Sequence, residues 1–263
     1  MGSEPVRGMS SIDPILQQLV DFSRRLGEPA NDYAILGEGN TSASVDNESF
    51  YVKASGATLH GIGPEGFVRV RCAPVMAMLD QEQLSDDAIR DGMMAACVDQ
   101  NARRPSVETL FHAYFLSLPG VNYVGHTHPT PVNAILCGRG GQALLQGRIF
   151  PDEIVCCGIA PAWIAYTDPG QPLAREIRWR TESYREEYGL YPRILLMENH
   201  GLIALGDTPQ AVESATAMFV KTCRILLATT ALGGPRFLSE ENVRRIYTRP
   251  DEKYRERGIT GRG

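Results

Sequence analysis

Val121-Asn122-Tyr123-Val124-Gly125-His126-Thr127-His128-Pro129 is the stretch on which the reading of this chain turns. Val121 to Gly125 has the texture of a short strand, and Pro129 closes it. Strand side chains alternate between faces, so residues two apart project together and His126 and His128 can reach one ion. On a helix the same spacing splays the rings apart. A third histidine, His200, follows in Leu195-Leu196-Met197-Glu198-Asn199-His200-Gly201, another apolar run broken by a turn signal. Three neutral imidazoles with an open fourth position suit a catalytic zinc. Taken singly, each histidine also has an ordinary explanation as a hydrogen-bonded, half-buried side chain. The H-x-H pair shifts that balance, because two adjacent buried imidazoles leave several polar nitrogens to satisfy.

Outward from this strand, the pattern alternates between helical and β texture. Ile12, Ile15, Leu16, Leu19, Phe22 and Leu26 fall at helical spacing, with Ser11 or Asp13 to cap, Pro14 in the first turn and Gly27 to stop. Ser42 to Val45 and Phe50 to Lys53, separated by Asp46-Asn47, read as a β-hairpin, with further short strands up to about Val70. Pro74 to Leu79, Ser85 to Gln100 and Ser106 to Leu118 read as helices, and Pro131 to Cys137 as the start of another. Ile149 to Ala165 reads as short β-like runs with loops, the Cys156-Cys157 pair lying in buried strand. Leu173 to Tyr188 is a charged amphipathic helix, and Arg193 to Leu196 and Leu202 to Leu205 are strands flanking the His200 turn. Thr208-Pro209 then caps and starts a long helix that ends near Gly233-Gly234. This order predicts an α/β or α+β sheet with helices on its faces. One domain is expected over 10–235, after a loose polar N-terminus (1–9, with Met9 a possible natural start) and before a charged C-terminal arm (236–263) that lies on the surface or against another subunit.

Composition narrows the class of partner. The 263 residues are 43% hydrophobic with a formal net charge of -5, and no basic or aromatic-basic stripe appears, so no nucleic-acid partner is expected. Six cysteines without a C-x-x-C pair read as reduced thiols in a cytoplasmic protein. No run approaches the roughly 20 apolar residues of a membrane span, and no signal peptide is evident, so no membrane association is expected.

Beyond the histidines, Glu108 is the next chemical candidate. It sits in the first turn of the helix that Ser106 caps, where a carboxylate stabilises the positive end of the helix dipole; alternatively it is a general base or acid beside the metal. Two glycine-containing loops, Gly37-Glu38-Gly39-Asn40-Thr41-Ser42 and Lys53-Ala54-Ser55-Gly56-Ala57-Thr58, offer backbone N–H groups and hydroxyls to an anion, and Ser106 at a helix start adds donors. Neither loop is a nucleotide-binding fingerprint, and each alone is equally an ordinary turn. His60 and His112 have no partner spacing and are read as structural.

Together, Gly39-Asn40-Thr41-Ser42, Ser55-Gly56, Ser106 with Glu108, His126-Thr127-His128 and Asn199-His200-Gly201 resemble the class II aldolase/adducin family, which includes fuculose-phosphate aldolases and the aldolase part of bifunctional rhamnulose-phosphate enzymes. Phe150-Pro151-Asp152-Glu153 resembles the latter. The resemblance implies a three-layer α/β/α sandwich with a central, mainly antiparallel sheet, and a homotetramer with sites between subunits. It implies zinc, or another divalent transition metal, on His126, His128 and His200, with Glu108 as catalytic acid/base and Gly39, Asn40, Ser55, Gly56 and Ser106 binding substrate or its phosphate. The implied reaction is cleavage of a ketose or ketose 1-phosphate to a dihydroxyacetone (phosphate) unit and an aldehyde through a metal-stabilised enediolate. A tyrosine usually protonates the departing aldehyde oxygen in this family, and Tyr166, Tyr247 and Tyr254 are the candidates.

One position departs from the pattern. Fuculose-phosphate aldolase has a second hydroxyl residue where this chain has Val107, so one phosphate contact is missing. Relatives that share the metal site suggest other reactions: decarboxylation of a sugar or aromatic acid, sugar-phosphate epimerisation, or dehydration. Epimerases tend to carry aspartate where Glu108 stands. A non-catalytic adducin-like module would lack the ligand set, whereas all three histidines are present.

Overall fold

The computed structural model describes residues 12–261, so the expectations for 1–9 and for Ser11 as a cap lie outside the described residues. Pro14–Leu26 forms α1, started by Asp13, whose side chain accepts from Ile15 N at 2.9 Å. Such a cap is worth about 1 kcal/mol. β1 (Asn40–Ser44), β2 (Ser49–Lys53) and β3 (Phe67–Arg71) follow, then α2 (Cys72–Asp80), α3 (Asp86–Ala96) and α4 (Thr109–Leu116). β4 (Tyr123–Thr127) carries the H-x-H pair's first histidine and leads into α5 (Thr130–Leu136), α6 (Gly141–Leu144) and α7 (Pro151–Cys157). The chain continues through β5 (Ala162–Ile164), α8 (Gln171–Tyr188), β6 (Ile194–Met197) and β7 (Gly201–Gly206) to α9 (Pro209–Thr229), α10 (Glu240–Thr248) and α11 (Pro250–Thr260).

Seven strands form one sheet in the order β3-β2-β1-β4-β7-β6-β5, in which only the β5–β6 pair is parallel. Alternation along the strands sends apolar side chains to both faces. Val124, Ile203 and Leu205 pack with Phe111, Phe115 and Ile177 beneath α4 and α8, while Ala43, Leu202 and Ala204 pack with Phe22, Val212 and Phe219 beneath α1 and α9. The result is the expected three-layer α/β/α arrangement around a mainly antiparallel sheet.

α9 is long and apolar enough, by length and composition, to cross a membrane, contrary to the expectation that no run comes close. In the fold its apolar stripe is used by the core: Ala211, Val212, Ala215, Phe219, Val220, Cys223 and Leu226 are buried against β7, α5, α7 and α1. Thr208 caps it as predicted, its hydroxyl accepting from Ala211 N at 3.1 Å.

One local expectation is corrected. Cys156 and Cys157 lie in helix α7, not in a strand; Pro151 at the helix start with Asp152 and Glu153 in the first turn outweighs the β-like run Ile154-Val155. Both cysteines are buried and all six are free thiols. A buried Arg148–Glu153 pair at 2.8 Å holds this segment, the guanidinium also donating to the carbonyls of Cys157 and Gly158. The C-terminal segment forms two helices on the outside of the domain: α10 packs on α7, and α11 packs on α7 and α9. Arg193–Glu256 and Arg255–Asp152 ion pairs fasten it.

Candidate metal centre

His126 is the fourth residue of β4, directly opposite Asn40 of β1 on one side and Ile203 of β7 on the other. Because Val124 and His126 share a face, the ring enters the layer beneath α4, where Phe111 meets it edge-on. His128 lies just past the strand end on the same face, and His200 comes from the β6–β7 turn, whose Asn199 adopts a left-handed φ of 53°. Gly201 makes room for this convergence. A Cβ there would lie 2.6 Å from His128 Cδ2 and 2.7 Å from the carbonyl oxygen of Thr127. Gly39 does the same across the sheet: its φ is +65°, and a Cβ would lie 2.5 Å from the His126 carbonyl oxygen.

The three imidazoles each offer a nitrogen, all within 4.8 Å of one another. His126 Nδ1 is tied to the Leu202 carbonyl oxygen at 3.0 Å, leaving Nε2 free, and His128 Nε2 lies 3.0 Å from it. Zn–N bonds of about 2.1 Å in a tetrahedral shell place ligand nitrogens roughly 3.4 Å apart, so the donor set fits a divalent ion. Burial holds His126 well below its usual pKa, and burial with the neighbouring His200 lowers His128, both shifts running toward the neutral ring that ligates a metal. Among the described residues this is the one three-residue cluster of ligating side chains.

Glu108 stands beside the cluster. Its Oε1 lies 3.3 Å from His200 Nε2 and 3.7 Å from His126 Nε2, while Oε2 accepts a hydrogen bond from Asn40 Nδ2. Burial pushes this carboxyl up, but the attraction of His126 and His200 and the Asn40 hydrogen bond outweigh it, and the net shift is downward. The expected helix begins later than its sequence suggests: α4 starts at Thr109 with Glu108 at the cap position, and the Ser106 hydroxyl accepts from Glu108 N at 3.3 Å.

The second glycine loop reaches Ser106 through the backbone. Ala54 bridges to Pro105, and Ser55 N donates to the Arg104 carbonyl at 2.8 Å, so the Ser55-Gly56 loop lies against the segment that leads into Ser106. Asn40 meets the site twice, once through its cross-strand pairing with His126 and once through its bond to Glu108. The three tyrosines are spread out: Tyr166 donates to Asp168 at 3.1 Å, Tyr247 lies under the Arg193 and Lys253 cations, and Tyr254 is exposed. None hydrogen-bonds to Glu108 or to a cluster histidine.

Two residues near the cluster were missed by reading the sequence. His112, read as structural, is fully buried and touches the site's own partners: its Nε2 side meets Asn40 Oδ1, and its Nδ1 lies 2.7 Å from Ser42 Oγ. Burial pushes it down to about 3, so it is neutral. Lys53 is buried at the end of β2, donating to the Gly37 carbonyl at 3.2 Å and to that of Ala57, which ties the two glycine loops together. Burial lowers its ammonium to about 8, against the opposing pull of Glu108. The signals were present in Glu108 and His112 at i, i+4 on one helix face, and in Asn40 and Ser42 two apart on one strand face. His60 is exposed.

Known proteins bear on this geometry in three ways. The family described as Class II Aldolase and Adducin N-terminal domain matches residues 17–227. The uncharacterised oxidoreductase YuxG of Bacillus subtilis (strain 168) is 26% identical over 193 residues, which are 70% of this chain and 26% of that protein. The chain thus spans about a quarter of that relative's length. Among solved structures, the N-terminal class II aldolase domain of a conserved protein from Thermoplasma acidophilum has a TM-score of 0.65 at 23% identity, covering 86% of this chain and 100% of that one. An L-fuculose 1-phosphate aldolase has a TM-score of 0.66 at 18% identity, covering 94% of this chain and 98% of that one. At such identities the structural likeness speaks for the fold, and the family match speaks for descent. By the match over residues 17–227 the chain belongs to the class II aldolase and adducin family, and the solved structures share its fold.

Proposed function

We propose that this protein is a zinc-dependent aldolase, a cytoplasmic carbon–carbon lyase that cleaves a ketose or ketose 1-phosphate to a dihydroxyacetone (phosphate) unit and an aldehyde. The observation that carries this reading is the convergence of the His126, His128 and His200 nitrogens beside Glu108 Oε1. A divalent ion held by these imidazoles supplies a Lewis acid for the negative charge that develops as the carbon–carbon bond breaks.

Glu108 handles the proton. Oε2 is engaged by Asn40, so Oε1, which faces the imidazoles, is the atom that receives and returns it. A positioned carboxylate in this role contributes roughly 10²–10⁴-fold in rate. Asn40 holds the carboxylate's orientation, and Ser55, Gly56 and Ser106 with the Gly39 loop form the rim on which the substrate's polar or phosphorylated end is bound. Lys53 adds positive charge between the two loops, which favours an anionic substrate end. A homotetramer with sites between subunits remains part of this proposal, supported by family membership.

One observation favours a second reading. Val107 packs against the apolar core instead of offering a hydroxyl, so the phosphate grip is weaker than in fuculose-phosphate aldolase. A metal-dependent decarboxylase of a sugar or aromatic acid needs no such grip. The deciding experiment is a product assay of the zinc-loaded protein on ketose phosphates, free ketoses and keto or aromatic acids. Aldehyde together with dihydroxyacetone or its phosphate supports the aldolase; release of CO₂ without aldehyde refutes it in favour of the decarboxylase.

A further inference from the structure

His128 Nε2 faces the other two imidazoles, 3.0 Å from His126 Nε2, so its Nδ1 must point out of the cluster. On that side stands Glu38, with Oε1 at 3.7 Å from His128 Nδ1. His126 shows the same division of labour, its Nδ1 bound to the Leu202 carbonyl oxygen. At His126 the outward partner is backbone. At His128 it is a side chain, and therefore can be removed.

The position of Glu38 is built by its loop. Its Oε2 accepts from Ile35 N at 3.0 Å, and its own N–H returns a bond to the Ile35 carbonyl at 3.0 Å, which closes a tight turn. His128 N donates to the Tyr33 carbonyl at 2.8 Å, fastening the start of this loop to the histidine itself, and Lys53 Nζ holds the Gly37 carbonyl at 3.2 Å. One carboxylate oxygen is thus spent on the loop and the other is aimed at the ring. Glu38 Oε1 is free to take the Nδ1 hydrogen after a small rotation of the side chain.

We propose that Glu38 is a positioning residue of the metal centre: its carboxylate takes the Nδ1–H of His128, fixes the ring's tautomer and orientation, and makes Nε2 a stronger donor. This rests on the reading of the three histidines as metal ligands. The chemistry is general, since an outer carboxylate on a ligating imidazole fixes the tautomer and raises its basicity, and losing it typically weakens metal binding 10–100-fold. The competing role for Glu38 is closure of the 35–38 turn alone. Glu38→Gln separates the two, because its amide oxygen still accepts from Ile35 N while the group turned toward His128 is a neutral N–H₂ that cannot accept the ring hydrogen.

The test is zinc affinity of the full-length protein, measured by competition with a chromophoric chelator, for wild type, Glu38→Gln and Glu38→Ala. Circular dichroism and the thermal unfolding of the metal-free proteins establish that each variant folds. Roughly tenfold or greater weakening in both variants is expected, with the Co²⁺-substituted proteins showing altered visible absorption. Wild-type affinity in Glu38→Gln overturns the proposal and assigns Glu38 to the turn, even if Glu38→Ala is impaired. Should Glu38→Ala not fold, Glu38→Gln alone decides. A wild-type protein that takes up no zinc is a different failure, because it removes the histidine centre itself and the role of Glu38 with it.

Discussion

Asn40 lies directly across the sheet from His126, and its amide donates to the carboxylate of Glu108. One strand pairing therefore sets the distance between a candidate metal ligand and the proposed acid/base group. This coupling predicts that the two functions separate on substitution. Glu108→Gln should retain a stoichiometric metal ion and lose at least 10²-fold in turnover, whereas His128→Ala should lose both. Metal analysis alongside single-turnover product formation reads the split.

Gly201 makes a sterically sharp prediction. In Gly201→Ala the new methyl meets His128 Cδ2 and the carbonyl oxygen of Thr127, and the backbone atom cannot move aside cheaply. Overpacking of this kind costs about 1–3 kcal/mol. Metal affinity should fall at least tenfold, with a lowered Tm in the metal-free protein; undiminished affinity would mean that the β6–β7 turn tolerates a different path.

Val107 governs the phosphate question. In Val107→Ser a hydroxyl stands beside Ser106 where fuculose-phosphate aldolase has one, and a hydrogen bond to a charged group is worth about 1.5–3 kcal/mol. The ratio of KM for a free ketose to KM for its phosphate should rise roughly tenfold or more, at some cost in stability from the lost apolar packing. An unchanged ratio would show that the phosphorylated end does not bind at this rim.

Acid stability follows from the buried histidines. His112 has a folded pKa of about 3 against an ordinary value of 6.5, so between those limits the unfolded chain binds the extra proton. Its contribution is fully present above pH 6.5 and is lost as pH falls toward 3. His126 shifts in the same direction through burial. Denaturant unfolding of the metal-free protein should therefore show stability falling across this window. His112→Gln should flatten the slope by about 1.4 kcal/mol per pH unit; an unchanged slope would show that His112 is not buried neutral.

Much of this architecture could be read from residue order. Alternation in β4 placed His126 and His128 on one face, and the Thr208-Pro209 start located α9, because both signals are local and periodic. α7 was misread because Ile154 and Val155 look β-like, and the burial that decides the matter comes from α9 and α10. His112 escaped notice for a related reason. Its meaning lies in Asn40 and Ser42, a distant strand that only sheet pairing brings beside α4. Lys53 likewise owes its depressed pKa to burial beneath the two glycine loops, which no spacing announces. Backbone bonds join the Ser55-Gly56 loop to the segment before Ser106, and Lys53 joins it to the Gly37 loop, whereas the candidate tyrosines make no hydrogen bond to the cluster.

The three-histidine centre is tested most directly by metal analysis with X-ray absorption on the zinc-reconstituted protein. The account predicts one ion per chain, with three imidazole nitrogens at about 2.0–2.1 Å and loss of that ion in His128→Ala. A protein that holds no divalent ion after reconstitution, or one in which His128→Ala keeps the same ion and the same shell, would contradict it.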